Sequence, residues 1–282
     1  MSLPNPIMAN KKPSILLTFD VEEFDLPLEY GQQVPLEEQL QTGKEGFDVL
    51  MKLLEPFGLE ATFFTTANFA QHYPQEIKGI SGNHEIASHT FYHSTFQPAD
   101  LASSKQLLEQ ITGKEVFGLR MPRMRAVEME DVKQAGYTYD SSINPAWVPG
   151  RYNNRHLPRT PYHQNGMLRF PASVTPNFRI PLFWLSFKNF PYFFFKKMLT
   201  DVLKKDGYAC LYLHPWEFIN LDKYTIPAYA KRHAGKELQK RLVQLINDFQ
   251  NDASFISMHR YITAVFYTGG HEPLSTCGEG LG

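Results

Sequence analysis

A chain of 282 residues that is 43% hydrophobic can bury a large core, and 28 basic against 29 acidic residues leave a formal net charge of -1. A balance that even excludes general electrostatic attraction to nucleic acid or to an anionic membrane surface, so recognition has to be local. Two cysteines, Cys210 and Cys277, make no disulfide framework, and Cys210, inside the apolar run ACLYLHP, reads as a small buried hydrophobe.

The opening stretch MSLPNPIMANKKPS lacks the continuous apolar core of a secretory signal, and no run of about 18 uncharged apolar residues follows it. The expectation is a cytoplasmic protein with no transmembrane segment, a flexible N-terminus over 1–13 and a flexible tail over 263–282.

Short β-rich runs then alternate with helical patterns. SILLTFD (14–20) precedes a helix expected over 41–57, EATFFTT (60–66) one over 68–78, HEIASH (84–89) one over 100–112, and EVFGLR (115–120) one over 126–135. YTYDS (137–141) and MLRFPAS (167–173) follow, then a helix over 191–206 and the strand YACLYLHP (208–215). A last helix over 236–251 carries Leu238, Leu242, Leu245, Ile246 and Phe249 on one face and leads to a strand expected over SFISMHRYI (254–262). The alternation predicts an α/β fold, a parallel sheet closed into a barrel or doubly wound, in one domain over 14–262. The interval 142–190 breaks the rhythm and reads as a cap. Its aromatics from Phe183 to Phe195 either line a substrate groove or pack the cap onto the wall, and Lys188, Lys196 and Lys197 allow a third reading as an interfacial patch.

Strand after strand ends on a group that binds metal, moves a proton or donates a hydrogen bond: Asp20, Thr65, His89, Arg120, Asp140 and His214. In barrel enzymes such ends converge on one mouth. SHTFYH spaces His89 and His93 four apart, one face of a helical turn, and two imidazoles with one carboxylate make a ligand set for Zn or Fe(II). TFDVEEFD can supply the carboxylate, unless its four acids, Asp20, Glu22, Glu23 and Asp25, are simply a solvated loop. His214, fixed between a strand and Pro215, is a candidate general acid.

Five stretches in order, TFDVEEF (18–24), SHTFYH (88–93), RMPR (120–123), YDSS (139–142) and LYLHP (211–215), resemble the motifs of the polysaccharide deacetylase (NodB homology) domain of carbohydrate esterase family 4. The resemblance implies a distorted (β/α) barrel of about seven strands. It also implies a metal-dependent hydrolase that removes the N-acetyl group of an N-acetylated sugar in a glycan or glycan precursor. Carried over residue by residue, it makes Asp20 the base and Glu22, His89 and His93 the ligands of a divalent metal, zinc first, with cobalt, manganese, nickel or iron as alternatives. Arg120 keeps the base ionised, His214 protonates the leaving amine, and Asp140 orients His214 or contacts substrate. Arg123 offers a backbone N–H to the oxyanion, with Pro122 shaping that loop and Trp216 on the substrate side.

The commonest family form has two adjacent Asp residues, whereas Val21 follows Asp20 here, as in a branch with Asp-Val-Glu. On an extended strand Asp20 and Glu22 share a face while Val21 points away, which leaves Glu23 and Asp25 as loop acids. The same branch includes allantoinase-like hydrolases of small amides, and Val21 also keeps open a catalytically inactive carbohydrate-binding homologue. A homo-oligomer is left open.

Overall fold

The computed structural model of the chain describes residues 12–267, so the expected flexible ends fall largely outside the described residues, as does Cys277. The strands are β1 (Ser14–Val21), β2 (Thr62–Thr65), β3 (Glu85–Ser88), β4 (Gly118–Leu119), β5 (Tyr139–Asp140), β6 (Trp147–Val148), β7 (Tyr152–Asn153), β8 (Tyr162–Gln164), β9 (Met167–Arg169), β10 (Tyr208–Leu213) and β11 (Ser254–Phe255). The helices are α1 (Leu36–Leu54), α2 (Ala67–His72), α3 (Pro74–Ile80), α4 (Ala99–Thr112), α5 (Met129–Gln134), α6 (Trp184–Asn189), α7 (Tyr192–Asp206), α8 (Ala228–Lys231), α9 (Lys236–Phe249) and α10 (Met258–Ile262). Among the described residues no helix is long and apolar enough to cross a membrane.

Seven strands pair in parallel in the order β10-β1-β2-β3-β4-β5-β9 and curl into a half-barrel, the distorted (β/α) barrel expected. β1 is buried along its whole length, as a strand covered on both faces has to be. Between β9 and β10 the ring is closed by irregular chain. Ser173 N donates to Cys210 O at 2.9 Å, Ser173 Oγ accepts from Cys210 N at 2.8 Å, and Phe183 bridges Tyr212.

Alternation along the strands sorts the core into two layers. Ile15, Leu17, Phe19 and Phe63 face outward to meet Phe47, Leu50, Leu242 and Leu245 of α1 and α9. Leu16, Phe64, Ala87, Leu168 and Cys210 face inward, where Met258, Tyr261 and Ile262 of α10 join them. This corrects the expectation for SFISMHRYI. Only two of its residues pair with β1, and Ser257 then caps a helix by accepting from Arg260 N, which turns the apolar side chains at i, i+3 and i+4 into the barrel. The chain after Ile262 also continues, as a π-helical turn over Thr263–Tyr267.

α1 begins five residues before its expected start, because Pro35 ends the preceding extended chain and Glu37 and Glu38 suit the positive end of the helix. The cap holds the hairpin β6–β7, the antiparallel β8–β9 pair and α6. Its aromatics divide: Phe187 and Phe195 pack into the outer core, whereas Phe183 and Trp184 border the cavity at the strand ends. Lys188, expected beside a surface patch, is fully buried.

Two glycines let α1 lie directly on the chain that carries the strand-end groups. A Cβ at Gly43 would collide with the carbonyl oxygen of Glu22, and one at Gly46 with the carbonyl oxygen of Pro215. Alanine favours a helix over glycine by about 1 kcal/mol, but rigid backbone cannot give way as a flexible side chain can. Gly46→Ala is therefore expected to destabilise the protein by about 1–3 kcal/mol in denaturant unfolding, and an unchanged or raised midpoint would contradict this packing.

Candidate active site

The strand ends bring Asp20, Glu22, His89 and His214 together, all buried, around a cavity of about 370 Å³, with buried Arg120 behind Asp20. Arg120, at the end of β4, lies fully inside the barrel and donates to Asp20 Oδ1 at 2.7 Å and Thr18 Oγ1 at 2.8 Å, with its guanidinium 4.0 Å from the Phe64 ring centre. Burial works against its charge, but the neighbouring Asp20 carboxyl outweighs this and keeps the guanidinium pKa above its ordinary value.

The two histidines meet differently from the expectation. SHTFYH forms no helix; Thr90 takes a left-handed conformation (φ 64°) that folds the chain back after β3. The rings nevertheless stack with centres 5.6 Å apart. His89 Nδ1 lies 2.7 Å from the Arg120 carbonyl oxygen and His93 Nδ1 2.7 Å from Asp25 Oδ1. Both partners only accept, so each Nδ1 carries the proton and each Nε2 of a neutral ring presents a lone pair. Those two Nε2 atoms point at Glu22 Oε2, 3.2 Å from His89 and 3.0 Å from His93.

That oxygen is buried and has no hydrogen-bond partner, whereas Oε1 accepts from Trp216 Nε1 at 3.0 Å. Three lone-pair atoms converging without a proton between them suit a divalent cation, and a tetrahedral ion with bonds of about 2.0–2.1 Å sets its ligand atoms at nearly this spacing. The electrostatics say the same. Burial disfavours charge on His93, yet Glu22 and Asp25 push its pKa up to about 10, so without a cation a proton would occupy the place. Burial likewise raises Glu22, but His93 and His89 hold it well below the ordinary carboxylate range.

Glu23 and Asp25 correct the loop-acid expectation. They are 4% and 2% exposed. Glu23 accepts from Thr66 Oγ1 at 2.7 Å and Asn68 Nδ2 at 2.5 Å, which ties the β1 loop to the start of α2. Asp25 bridges His93 and Arg123, the latter at 2.9 Å, and so orients one proposed ligand in the way carboxylates orient metal-bound histidines.

His214 stands across from Asp20, its Nε2 4.0 Å from Asp20 Oδ2, and its ring stacks on Trp216 at 4.8 Å and meets Trp184 edge-on at 5.3 Å. Its Nδ1 lies 3.0 Å from Glu217 Oε1. Burial lowers its pKa, but the Glu217 hydrogen bond and the charges of Glu22, Glu217 and Asp20 raise it above the usual imidazole value. Asp140 takes neither expected role. It is fully buried, bonds Ser142 and Arg169 Nε (2.9 Å), and stays off the cavity. The partner of His214 is Glu217, whose signal was the spacing in HPWE: an acid at the third position of a short helix reaches back to the N–H of the capping residue, here His214 N at 2.9 Å.

Arg123 lines the cavity with a left-handed backbone (φ 56°) in the turn opened by buried Pro122, and its side chain grips Asp25, Glu29 and the His93 carbonyl. Trp216 touches the cavity but also anchors Glu22. Around the mouth, Glu29 pairs with Arg151 at 2.8 Å and the Tyr30 and Tyr229 hydroxyls meet at 3.1 Å, so three separate excursions wall the site. A larger open depression of about 1270 Å³ beyond Phe183 and Tyr229 holds none of the strand-end groups.

A search of curated proteins by sequence finds no match. Among solved structures, the fold resembles a Mycobacterium smegmatis protein assigned as a polysaccharide deacetylase (17% identity, TM-score 0.63, 95% of each chain covered). It also resembles Puue allantoinase (15%, TM-score 0.65, 94% of this chain and 95% of that one). A Pseudomonas aeruginosa PAO1 protein assigned as a polysaccharide deacetylase is similar too (15%, TM-score 0.62, 92% of each chain). At such identities these likenesses speak for the fold alone. Residues 141–263 match a domain of unknown function, DUF3473. The preceding residues, 8–139, match the polysaccharide deacetylase family model, so this part of the chain, which carries the first strand-end motifs, is a polysaccharide deacetylase domain.

Proposed function

We propose that the protein is a metal-dependent hydrolase that removes the N-acetyl group from an N-acetylated sugar, of the branch with an Asp-Val-Glu first motif. The observation that carries the reading is the convergence of Glu22 Oε2 with the Nε2 atoms of His89 and His93, flanked by Asp20 on one side and His214 on the other. Bound there, a divalent cation, zinc first, supplies a Lewis acid for the amide carbonyl and makes water a stronger acid.

The remaining work falls to this chain's side chains. Asp20, held in place by the Arg120 guanidinium, takes the proton of the attacking water. His214, fixed at Nδ1 by Glu217, hands the proton on its Nε2 to the departing amine. The backbone N–H of Arg123 is the proposed donor to the oxyanion, a contact typically worth about 3 kcal/mol. Phe183, Trp184 and Tyr212 offer apolar faces to the sugar ring.

A second reading, a hydrolase of a small amide, draws on the walled shape of the cavity, which the Glu29–Arg151 and Tyr30–Tyr229 contacts narrow. Against the inactive homologue speaks the pairing of a carboxylate and an imidazole across the cavity, Asp20 and His214, each with its own support. Acetate release from N-acetylglucosamine and its oligomers, beside hydrolysis of allantoin, separates the three. The deacetylase reading expects acetate from the wild type and a loss on the order of 100-fold or more in Asp20→Ala with metal retained; a wild type that releases none and cleaves the small amide would overturn it.

Two further outcomes follow from the supports. Asp25→Asn is expected to weaken metal binding by about 10–100-fold in competition with a chelator, and unchanged affinity would remove Asp25 from the site. Because the His214 pKa is raised, its protonated acid form persists above the ordinary imidazole range. Activity is therefore expected to decline only on the alkaline side of that range, and Glu217→Gln should move the decline to lower pH. A decline at the same pH in both proteins would show that Glu217 does not govern the acid.

A further inference from the structure

We propose that Lys188 is a positioning residue for the proton donor, and that the segment 141–263 contributes to the site a preassembled unit, Lys188–Glu217–His214. The inference rests on the deacetylase reading for the chemistry but on separate geometry for the unit.

Lys188 lies in α6 of the cap and is fully buried, as is Glu217. Its ammonium donates to Glu217 Oε2 at 2.8 Å and to the Ala230 carbonyl oxygen at 2.5 Å, with the rings of Trp184 and Trp216 at 4.9 and 5.8 Å. Enclosing a lysine this way carries a large desolvation cost, and an ion pair of this kind is often no more stable than an apolar replacement. Stability alone is a poor reason for it. What the pair does is visible at its other end. Glu217 spends one oxygen on Lys188 and the other on both the backbone N–H and Nδ1 of His214.

An ionised carboxylate can only accept, so His214 must carry its fixed proton on Nδ1 and turn Nε2 toward Asp20 and the cavity. A neutral Glu217 could rotate and offer a proton to Nδ1, which would reverse the tautomer. Lys188 prevents this by holding Glu217 as an anion; burial works against that charge, and Lys188 followed by His214 outweighs it. The groups that face His214 are Asp20 from β1 and Glu22 just after it, Glu217 from its own turn, and the rings of Tyr212, Trp184 and Trp216. Lys188 is the cation one step behind them. The metal ligands and the base all come from residues before 140, whereas all three members of this unit come after 141. The domain of unknown function thereby gains a role, since it carries the acid and the charge that sets it.

The experiment compares wild type with Lys188→Met, Glu217→Gln and the charge-neutral double variant K188M/E217Q, by acetate release from N-acetylglucosamine oligomers and by 15N NMR of the His214 ring. The expected result is a kcat about 10–100-fold lower in each single variant with KM within about twofold. The double variant should melt near the wild type yet keep the low kcat, because it restores charge balance without restoring the anion. In wild type the neutral His214 ring should show Nδ1 protonated, and in Lys188→Met this signature should be lost. A double variant with wild-type kcat, or a Lys188→Met protein with unchanged kcat and ring spectrum, would reduce the pair to structural charge balance and overturn the proposal. If Lys188→Met fails to fold, the double variant decides. A wild type without acetate release counts against the deacetylase reading alone, since the NMR comparison needs no turnover.

Discussion

The rest of the structure is organised around four carboxylates placed within six residues at the buried end of β1. An uncompensated ionised group at such a depth costs several kcal/mol, so each needs its own counter-charge or donors. Asp20 has Arg120, Glu23 has the Thr66 hydroxyl and the Asn68 amide, and Asp25 has Arg123 and His93. Among these four acids only Glu22 keeps a fully buried oxygen with no hydrogen bond, and the groups nearest it are imidazole Nε2 atoms whose Nδ1 sides are already held by other partners. Satisfying three acids locally leaves the fourth as the point where a cation would be held. The fold thus makes the proposed metal centre by elimination, and the same constraint explains why a guanidinium lies fully inside a barrel whose inner wall also holds Leu16, Phe64, Ala87 and Leu168.

Much of this was legible in residue order. Asp20, His89, Arg120 and His214 could be set at one mouth because a strand's last residue faces the same end of a parallel sheet whatever the loops do. The side-chain alternation that separates Asp20 and Glu22 from Val21 is equally local. What residue order does not reveal depends on chain far away. Glu23 and Asp25 resemble a solvated loop until α1 is laid over them, held by Phe24 N donating to Gln39 O and by the glycines that allow close approach. The histidine spacing was informative although its conformation was not helical, since a left-handed Thr90 brings the rings together as well as a helical turn would. Asp140 reads as the partner of His214 only because position in a motif says nothing of which way a carboxylate points, and Arg169 claims it from the neighbouring strand. SFISMHRYI is apolar enough for a strand, and only the serine cap and the open floor of the barrel make it a helix.

The two matched segments of the chain meet at the cavity and divide its chemistry. The first provides the fixed, charge-dense half: the proposed base, the proposed ligands and their supports. The second provides the aromatic walls, chiefly Phe183, Trp184 and Tyr212, and the histidine with its acid partner just after β10. Because β10 pairs directly with β1 over six residues, the distance between Asp20 and His214 is set by strand register and not by loop conformation. The proposed base and acid at the ends of neighbouring strands of one ladder are held as rigidly as the sheet itself, while the walls come from the hairpin β6–β7, the turn around Tyr30 and α8.

The most direct test of this account is anomalous diffraction from crystals grown with zinc. The account predicts one strong peak bonded to Glu22 Oε2 and to the Nε2 atoms of His89 and His93, with Glu23 still on Thr66 and Asn68 and Asp25 still on His93 Nδ1. A peak held instead through Glu23 or Asp25, or no peak with Glu22 hydrogen-bonded to protonated histidines, would contradict it.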